Sequence, residues 1–422
     1  MGRSKQGPIR LLLVVSAACC CASAENSANG YLMNKGHKEF PIGCYELPSD
    51  DVNLRAIAAA GFNLVRCRDV HDLDRAHAAG MMGWVPVPLE SGAKSDVLRT
   101  RLESVMNHPA LAVWEGPDEV VWNFTAFSGL FRSGAYKQPG EWWRQTSFAV
   151  ERAEAEAKKI LPQLRAGCEL LRRIDRQKHP IWINEAAESD MKFVREYLDE
   201  IDITGCDTYP IHENKRLPAS AGDFAARFQR IGKGKPVWMV LQGFSWHELT
   251  PPKDERLVYP SFTETRLMAY DAIAHGARGL LYWGTEVVPK DSPFRQSLFA
   301  LTSELKELQP FLIAKDHAGV TVSLVESSGR AAEGDRGVRS FARRAGRDWL
   351  IVLVNEDDRH HMGVEVGGLS KLNAQNLEVL YAPETAAVKK GGFVTRLRPY
   401  EVKVLASSRK WESSRQAGRE FQ

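Results

Sequence analysis

The stretch "AVWEGPDEVVWN" (112–123) ends an apolar run with two adjacent acids, Asp118 and Glu119, stiffened by Pro117 and flanked by Trp114 and Trp122. A carboxyl among apolar walls beside a second acid holds its proton to higher pH, and a protonated carboxyl can donate to a leaving oxygen. The plain alternative is that the acids cap the helix after the strand. Other apolar runs end in polar or aromatic residues too: Tyr45 and Glu46, Arg66 and Asp69, Glu90, Glu185, Asp207 and Tyr209, Gln242 and Trp246, Trp283 and Glu286. Any one of these suits a cap or a solvated rim. Together they describe a cleft for a polyhydroxylated ligand, where flat rings stack on sugar C–H faces and carboxylates accept from hydroxyls. The insertion after residue 119 adds Trp122, Phe124, Phe127, Phe131, Tyr136, Trp142 and Trp143, too aromatic for a disordered loop.

Positioning so many strand ends on one face requires a repeating scaffold. From residue 40, eight short apolar runs alternate with amphipathic segments: 40–47, 63–69, 83–90, 110–119, 180–187, 203–211, 236–246 and 279–286. Between them, segments such as "DVNLRAIAAAG" and "ETRLMAYDAIAHGA" repeat apolar residues at three- and four-residue spacing, as helices covering a sheet do. Eight such units predict an α/β fold, a (β/α)8 barrel over residues 36–311, whose strands are buried on both faces and whose working end is the C-terminal one. A doubly wound open sheet is the competitor, but no Gly-rich phosphate fingerprint follows the first run. From about residue 312 the pattern changes to short alternating runs split by Gly, Asn and Asp, which predicts an all-β sandwich over 312–407. The polar remainder, 408–422, is read as a disordered tail.

With 422 residues, 44% hydrophobic and a formal charge of only +3, the chain has the composition of a globular protein, and no basic run interleaved with aromatics points to nucleic acid. Arg3, Lys5 and Arg10 precede the apolar "LLLVVSAACCCA" and Ala22-Ser23-Ala24, the layout of a signal peptide over 1–24. That run is short for a membrane span, so a secreted or periplasmic protein is expected. Cys44, Cys67, Cys168 and Cys206 follow it without a CxxC pair; buried small hydrophobes are the reading, with a Cys44–Cys67 disulfide conceivable. His71, His212 and His247 have no ligand spacing, so neither metal nor cofactor is expected. Asn123-Phe124-Thr125 is a glycosylation sequon.

The motifs in their order resemble clan A glycoside hydrolases. "GFNLVR" (61–66) is similar to their second barrel strand, with Arg66 in place of the active-site arginine, and "NHPALAVWEGPDE" (107–119) to their fourth. "KHPIWIN", "DTYP", "KPVWMVLQG" and "GLLYWG" resemble strands five to eight. The resemblance implies that Glu119 is the general acid/base. This sequence departs from the family twice: Asp118 stands for the Asn before the acid, and Gln242 aligns with the nucleophilic Glu of strand seven. An amide cannot form a glycosyl ester, so a mechanism other than the usual Glu/Glu retaining one is expected.

Three routes remain. Inversion would use Asp207 or Glu286 as base across a water. Substrate assistance resembles acetamido-sugar hydrolases, with Asp118 orienting an N-acetyl oxygen, Glu119 as acid and Tyr209 assisting. A non-catalytic carbohydrate-binding barrel is the third. The sites expected are therefore catalytic Glu119, Asp118 and Asp207, with Arg66, Trp122, Tyr209, Gln242, Trp246, Trp283 and Glu286 contacting a carbohydrate substrate; Arg66 either braces a buried carboxylate or touches the ligand.

Overall fold

A computed structural model describes residues 29–249, 257–327, 336–372 and 375–414. The signal peptide read over 1–24 lies outside them. Strands β1 (Leu32–Asn34) and β2 (His37–Glu39) form an antiparallel hairpin that the sequence pattern did not announce. Eight parallel strands follow: β3 (Ile42–Cys44), β4 (Leu64–Arg66), β5 (Met82–Pro86), β6 (Leu111–Glu115), β7 (Ile181–Ala186), β8 (Ile203–Thr208), β9 (Val237–Gln242) and β10 (Ala277–Trp283). Each overlaps one expected run. Because β10 pairs with both β9 and β3, the sheet closes into a barrel, which excludes the open sheet.

The side-chain period of two decides what fills it. Trp84, Trp182 and Trp238 point inward and are fully buried, with Trp182–Trp238 ring centres 5.3 Å apart. Trp238 Nε1 donates to Gly30 O at 2.9 Å, and Leu32 joins the interior cluster, so the hairpin closes the N-terminal end. The opposite end stays open for chemistry. Several helices start on caps that strand-end polar residues supply: Asp50 accepts from Asn53 N, Asp69 from Asp72 N, and Asp190 from Lys192 N. Each cap is worth about 1 kcal/mol.

The C-terminal part is a two-sheet sandwich. One sheet holds β11 (Thr321–Ser327), β14 (Met362–Gly367) and β17 (Phe393–Leu397); the other runs β12 (Val338–Ala345), β13 (Asp348–Asn355), β18 (Val402–Ala406), β15 (Asn376–Val379), β16 (Thr385–Ala387). On β13, Ile351 and Leu353 face the sandwich core, while Leu350, Val352 and Val354 join the barrel's core. Both faces of that sheet are therefore buried, which explains the unbroken apolar run "WLIVLV". Arg266 fastens the two parts, pairing with Glu304 at 2.7 Å and donating to Val402 O.

Two expectations are corrected. The tail read over 408–422 is structured at its start: Arg409–Trp411 forms a 3-10 turn and Trp411 packs on Phe311, ring centres 4.8 Å apart. Its remainder from 415 lies outside the described residues. The Cys44–Cys67 disulfide is absent, both thiols being free. The Cys44 sulfur contacts Thr285 Oγ1 at 3.0 Å and the Cys67 sulfur lies under Gly83, so each is committed to a different neighbour. Among the described residues, no helix is long and apolar enough to cross a membrane.

Candidate active site

Strand β6 ends at Glu115, and Gly116-Pro117-Asp118 carry the chain to Glu119, which precedes the helix Val120–Thr125. Glu119 occupies the cap position but makes no side-chain cap, and its backbone is left-handed with φ 50°. For a residue with a side chain that conformation costs about 1–2 kcal/mol. The neighbouring strand holds it: Glu119 N donates to Asn184 O at 2.9 Å. The capping is done instead by Glu185, fully buried at the end of β7, which accepts from Val121 N at 3.1 Å and from the Ser189 and Tyr197 hydroxyls at 2.7 Å each. Glu185 is thus a structural acid, and the Glu119 carboxyl is left free to face the barrel mouth.

There it meets Asp207 from β8, and the two carboxyls hydrogen-bond to each other. Two carboxylates cannot sit so close unless one keeps a proton. Burial, the Glu119 charge and their shared hydrogen bond push the Asp207 carboxyl far up. Burial also raises Glu119, reinforced by the Asp118 charge and opposed by the Asp207 bond. The Tyr209 hydroxyl donates to Asp207 Oδ2 at 3.1 Å. Asp118 is open to solvent but walled by protein on most sides; burial raises its carboxyl, while Asn184 Nδ2, donating to Oδ1 at 2.9 Å, works against this. The pair keeps a proton available beside an accessible third acid.

Aromatic rings wall this cluster. Tyr209 stacks on Trp283 at 5.3 Å and 28°, and Trp246 donates from Nε1 to Tyr209 O at 3.2 Å while stacking on His212. These rings, all from β8, β9 and β10 ends, stand together as expected. Arg66 donates from Nε to Glu115 Oε2 at 2.6 Å with its guanidinium over the Tyr45 ring, so it does brace a buried carboxylate. Trp122 is half-buried on the helix after Glu119.

Two expected contacts are not part of this cluster. Gln242 is fully buried and spends its amide on backbone: Oε1 accepts from Ile211 N at 2.9 Å, and Nε2 donates to Ile211 O and Phe244 O at 3.0 and 3.1 Å. It ties the loop after β8 to the end of β9 and has no polar group left for a ligand. Glu286 is exposed and lines a separate cavity of about 220 Å³ with Glu46, Lys290 and Arg295.

The sequence reading missed Glu115. It is fully buried at the inward-facing end of β6, and burial pushes its carboxyl up to about 7 despite the Arg66 charge. The signal was available: an acid two residues after inward-facing Val113, inside a run buried on both faces, requires a cation partner. Tyr45, at the end of β3, is buried with its hydroxyl unpartnered, as are Glu115 Oε1 and Asn184 Oδ1. Unsatisfied buried polar atoms are costly, and these three come from the ends of the barrel strands around Asp118.

Among the described residues, two groups have the spacing of metal ligands, Asp69–His71–Asp72 and Asp271–His275–Glu356. Asp69 and Asp72 are already engaged as a helix cap and an Arg68 partner, and His275 bonds Glu356 at 2.7 Å. Neither group includes a member of the acid cluster.

No protein-family model matches the chain, and no curated protein matches its sequence. Solved structures do match in fold. A β-galactosidase from Bacillus circulans sp. alkalophilus aligns over 89% of this chain and 100% of its own, with 8% identity and a TM-score of 0.54. A glycoside hydrolase family 5 protein from Bacteroides vulgatus aligns over 90% and 93%, with 14% identity and a TM-score of 0.52. AmyP in complex with maltose aligns over 93% and 99%, at 11% and 0.50. At such identities the likeness is one of fold: this chain shares the barrel-plus-β-domain architecture of glycoside hydrolases.

Proposed function

We propose that the protein is an exported glycoside hydrolase in which Glu119 is the general acid/base and Asp207 its proton partner. The observation that supports this most is the hydrogen-bonded Glu119–Asp207 pair at the open end of the barrel, beside stacked Tyr209 and Trp283. Cleaving a glycosidic bond requires a proton for the leaving oxygen, and this pair holds one. Export rests on the charged and apolar segment at the N-terminus.

The same contact argues against inversion through Asp207. An inverting pair stands about 6.5–9.5 Å apart to admit water, whereas these carboxyls touch. Gln242 supplies no nucleophile. Substrate assistance fits best, because accessible Asp118 is adjacent to the acid and oriented by Asn184. In that course Glu119 protonates the glycosidic oxygen and the C–O bond breaks. The acetamido oxygen closes on the anomeric carbon, with Asp118 stabilising the cationic ring. Water then opens the ring and returns a proton to Glu119.

Product release from a panel of polysaccharides and aryl glycosides, acetamido sugars included, tests this with wild type beside Glu119→Gln. Release of an acetamido sugar by wild type alone is expected. The absence of strand-seven chemistry favours a second reading, a glycan-binding barrel without turnover; measurable glycan binding with no product on the whole panel would replace the first reading with it.

A further inference from the structure

All four exposed phenylalanines and tryptophans among the described residues lie in one segment: Phe127 (42%), Phe131 (42%), Trp143 (52%) and Phe148 (41%). Elsewhere the large exposed apolar side chains are scattered valines and leucines, which need no explanation. Burying rings of that size stabilises a fold, so leaving several exposed in one insertion forgoes stability and calls for a ligand.

The insertion anchors Trp143. Trp142, next to Trp143, is buried and packs on Phe193 with ring centres 6.3 Å apart. Buried Glu141 accepts from Lys137 N and Gln138 N at 2.7 and 2.8 Å, fixing the turn before them. Trp143 leans on Trp122, ring centres 5.9 Å apart at 48°. Trp122 lies three residues beyond Glu119 on the helix that Glu119 begins. The insertion follows β6, and loops after barrel strands gather at the open, C-terminal end. Trp143 therefore stands, through Trp122, on the segment that leads out from Glu119 at that end.

The occupant follows from their chemistry. The exposed rings lie among polar side chains such as Arg144, next to Trp143 in the chain, and Gln138, which accepts from Arg144 at 2.9 Å. Flat preordered faces with polar neighbours suit pyranose rings, whose C–H surfaces stack and whose hydroxyls need partners. We propose that Trp143, backed by Trp122, is a stacking platform for sugar units beyond the one held at Glu119. The substrate is then a polymeric glycan rather than a short glycoside. This assignment rests on the hydrolase reading and sharpens its substrate class.

The experiment compares Trp143→Ala with wild type on the polymer and on the aryl glycoside of its single sugar. The expected result is a fall in kcat/KM of about tenfold or more on the polymer, a change under twofold on the aryl glycoside, and recovery of most of the loss in Trp143→Phe. Equal loss on both substrates, or none on the polymer, overturns the platform. Binding is read separately by affinity electrophoresis of Glu119→Gln with and without Trp143→Ala in gels containing each polysaccharide. Retardation that depends on Trp143 without turnover on any substrate keeps the platform and removes the hydrolase reading. Retardation by no polysaccharide overturns the platform itself.

Discussion

Two strand ends of the same barrel carry a polar residue where chemistry was expected, and they behave in opposite ways. At the end of β9, Gln242 is sealed from solvent, and its amide is used up by the backbone of Ile211 and Phe244. After β6, Glu119 sits in a strained left-handed turn, declines the cap that its position offers, and hydrogen-bonds the raised Asp207 carboxyl. One end has spent its hydrogen-bonding capacity on holding the fold together. The other keeps capacity unspent, with strain and an uncomfortable acid pair tolerated because Glu185 and Asn184 secure the backbone around it. What separates a structural from a reactive strand end is the number of partners left open, more than the residue type.

This contrast can be broken by exchanging the penalties. Glu119→Gln should lower turnover by about 10²–10⁴-fold, the range for a lost general acid, with thermal unfolding almost unchanged. A comparable fall in unfolding temperature would make Glu119 structural after all. Gln242→Ala should do the reverse. It leaves three buried backbone groups unpaired at about 1 kcal/mol or more each, so chemical denaturation should show a loss on the order of 3 kcal/mol. KM of the folded fraction should stay near wild type. The smallest effect belongs to a plain cap: Ser261→Ala, which dismantles the capping box of Ser261 and Glu264, should cost about 1 kcal/mol in the same assay and leave turnover untouched.

The barrel was legible because each strand is apolar on both faces and each helix is apolar on one, patterns that survive without knowledge of contacts. The three-residue strands of the N-terminal hairpin have too little alternation to show. Trp411 gave no periodic signal because a single ring anchors that turn on Phe311. In the site, strand position puts Glu119, Asp207, Tyr209, Trp246 and Trp283 on one end of the barrel, and there they meet. The fate of Gln242 was not readable, since it depends on how the loops at Ile211 and Phe244 fold back. Asp207 was one of two acids, with Glu286, that inversion would set across a water from Glu119; only the fold brings Asp207 into contact with it. Asp69 and Glu119 look alike in sequence, each an acid after a strand, yet Asp69 is the ordinary cap and Glu119 is not.

The central claim, that Glu119 and Asp207 share a proton, is tested most directly by the pH dependence of kcat/KM in wild type and Asp207→Asn. In wild type Glu119 must be protonated to act, so activity should fall as pH rises through its raised pKa, on the alkaline limb. Once the pair carries one negative charge, its last proton is harder to remove from either carboxyl. Replacing Asp207 by a neutral amide removes that repulsion, so the alkaline limb should move to lower pH, by about one unit for each ~1.4 kcal/mol of lost coupling. An alkaline limb that stays where it was in Asp207→Asn would contradict the shared proton and leave Glu119 an isolated acid.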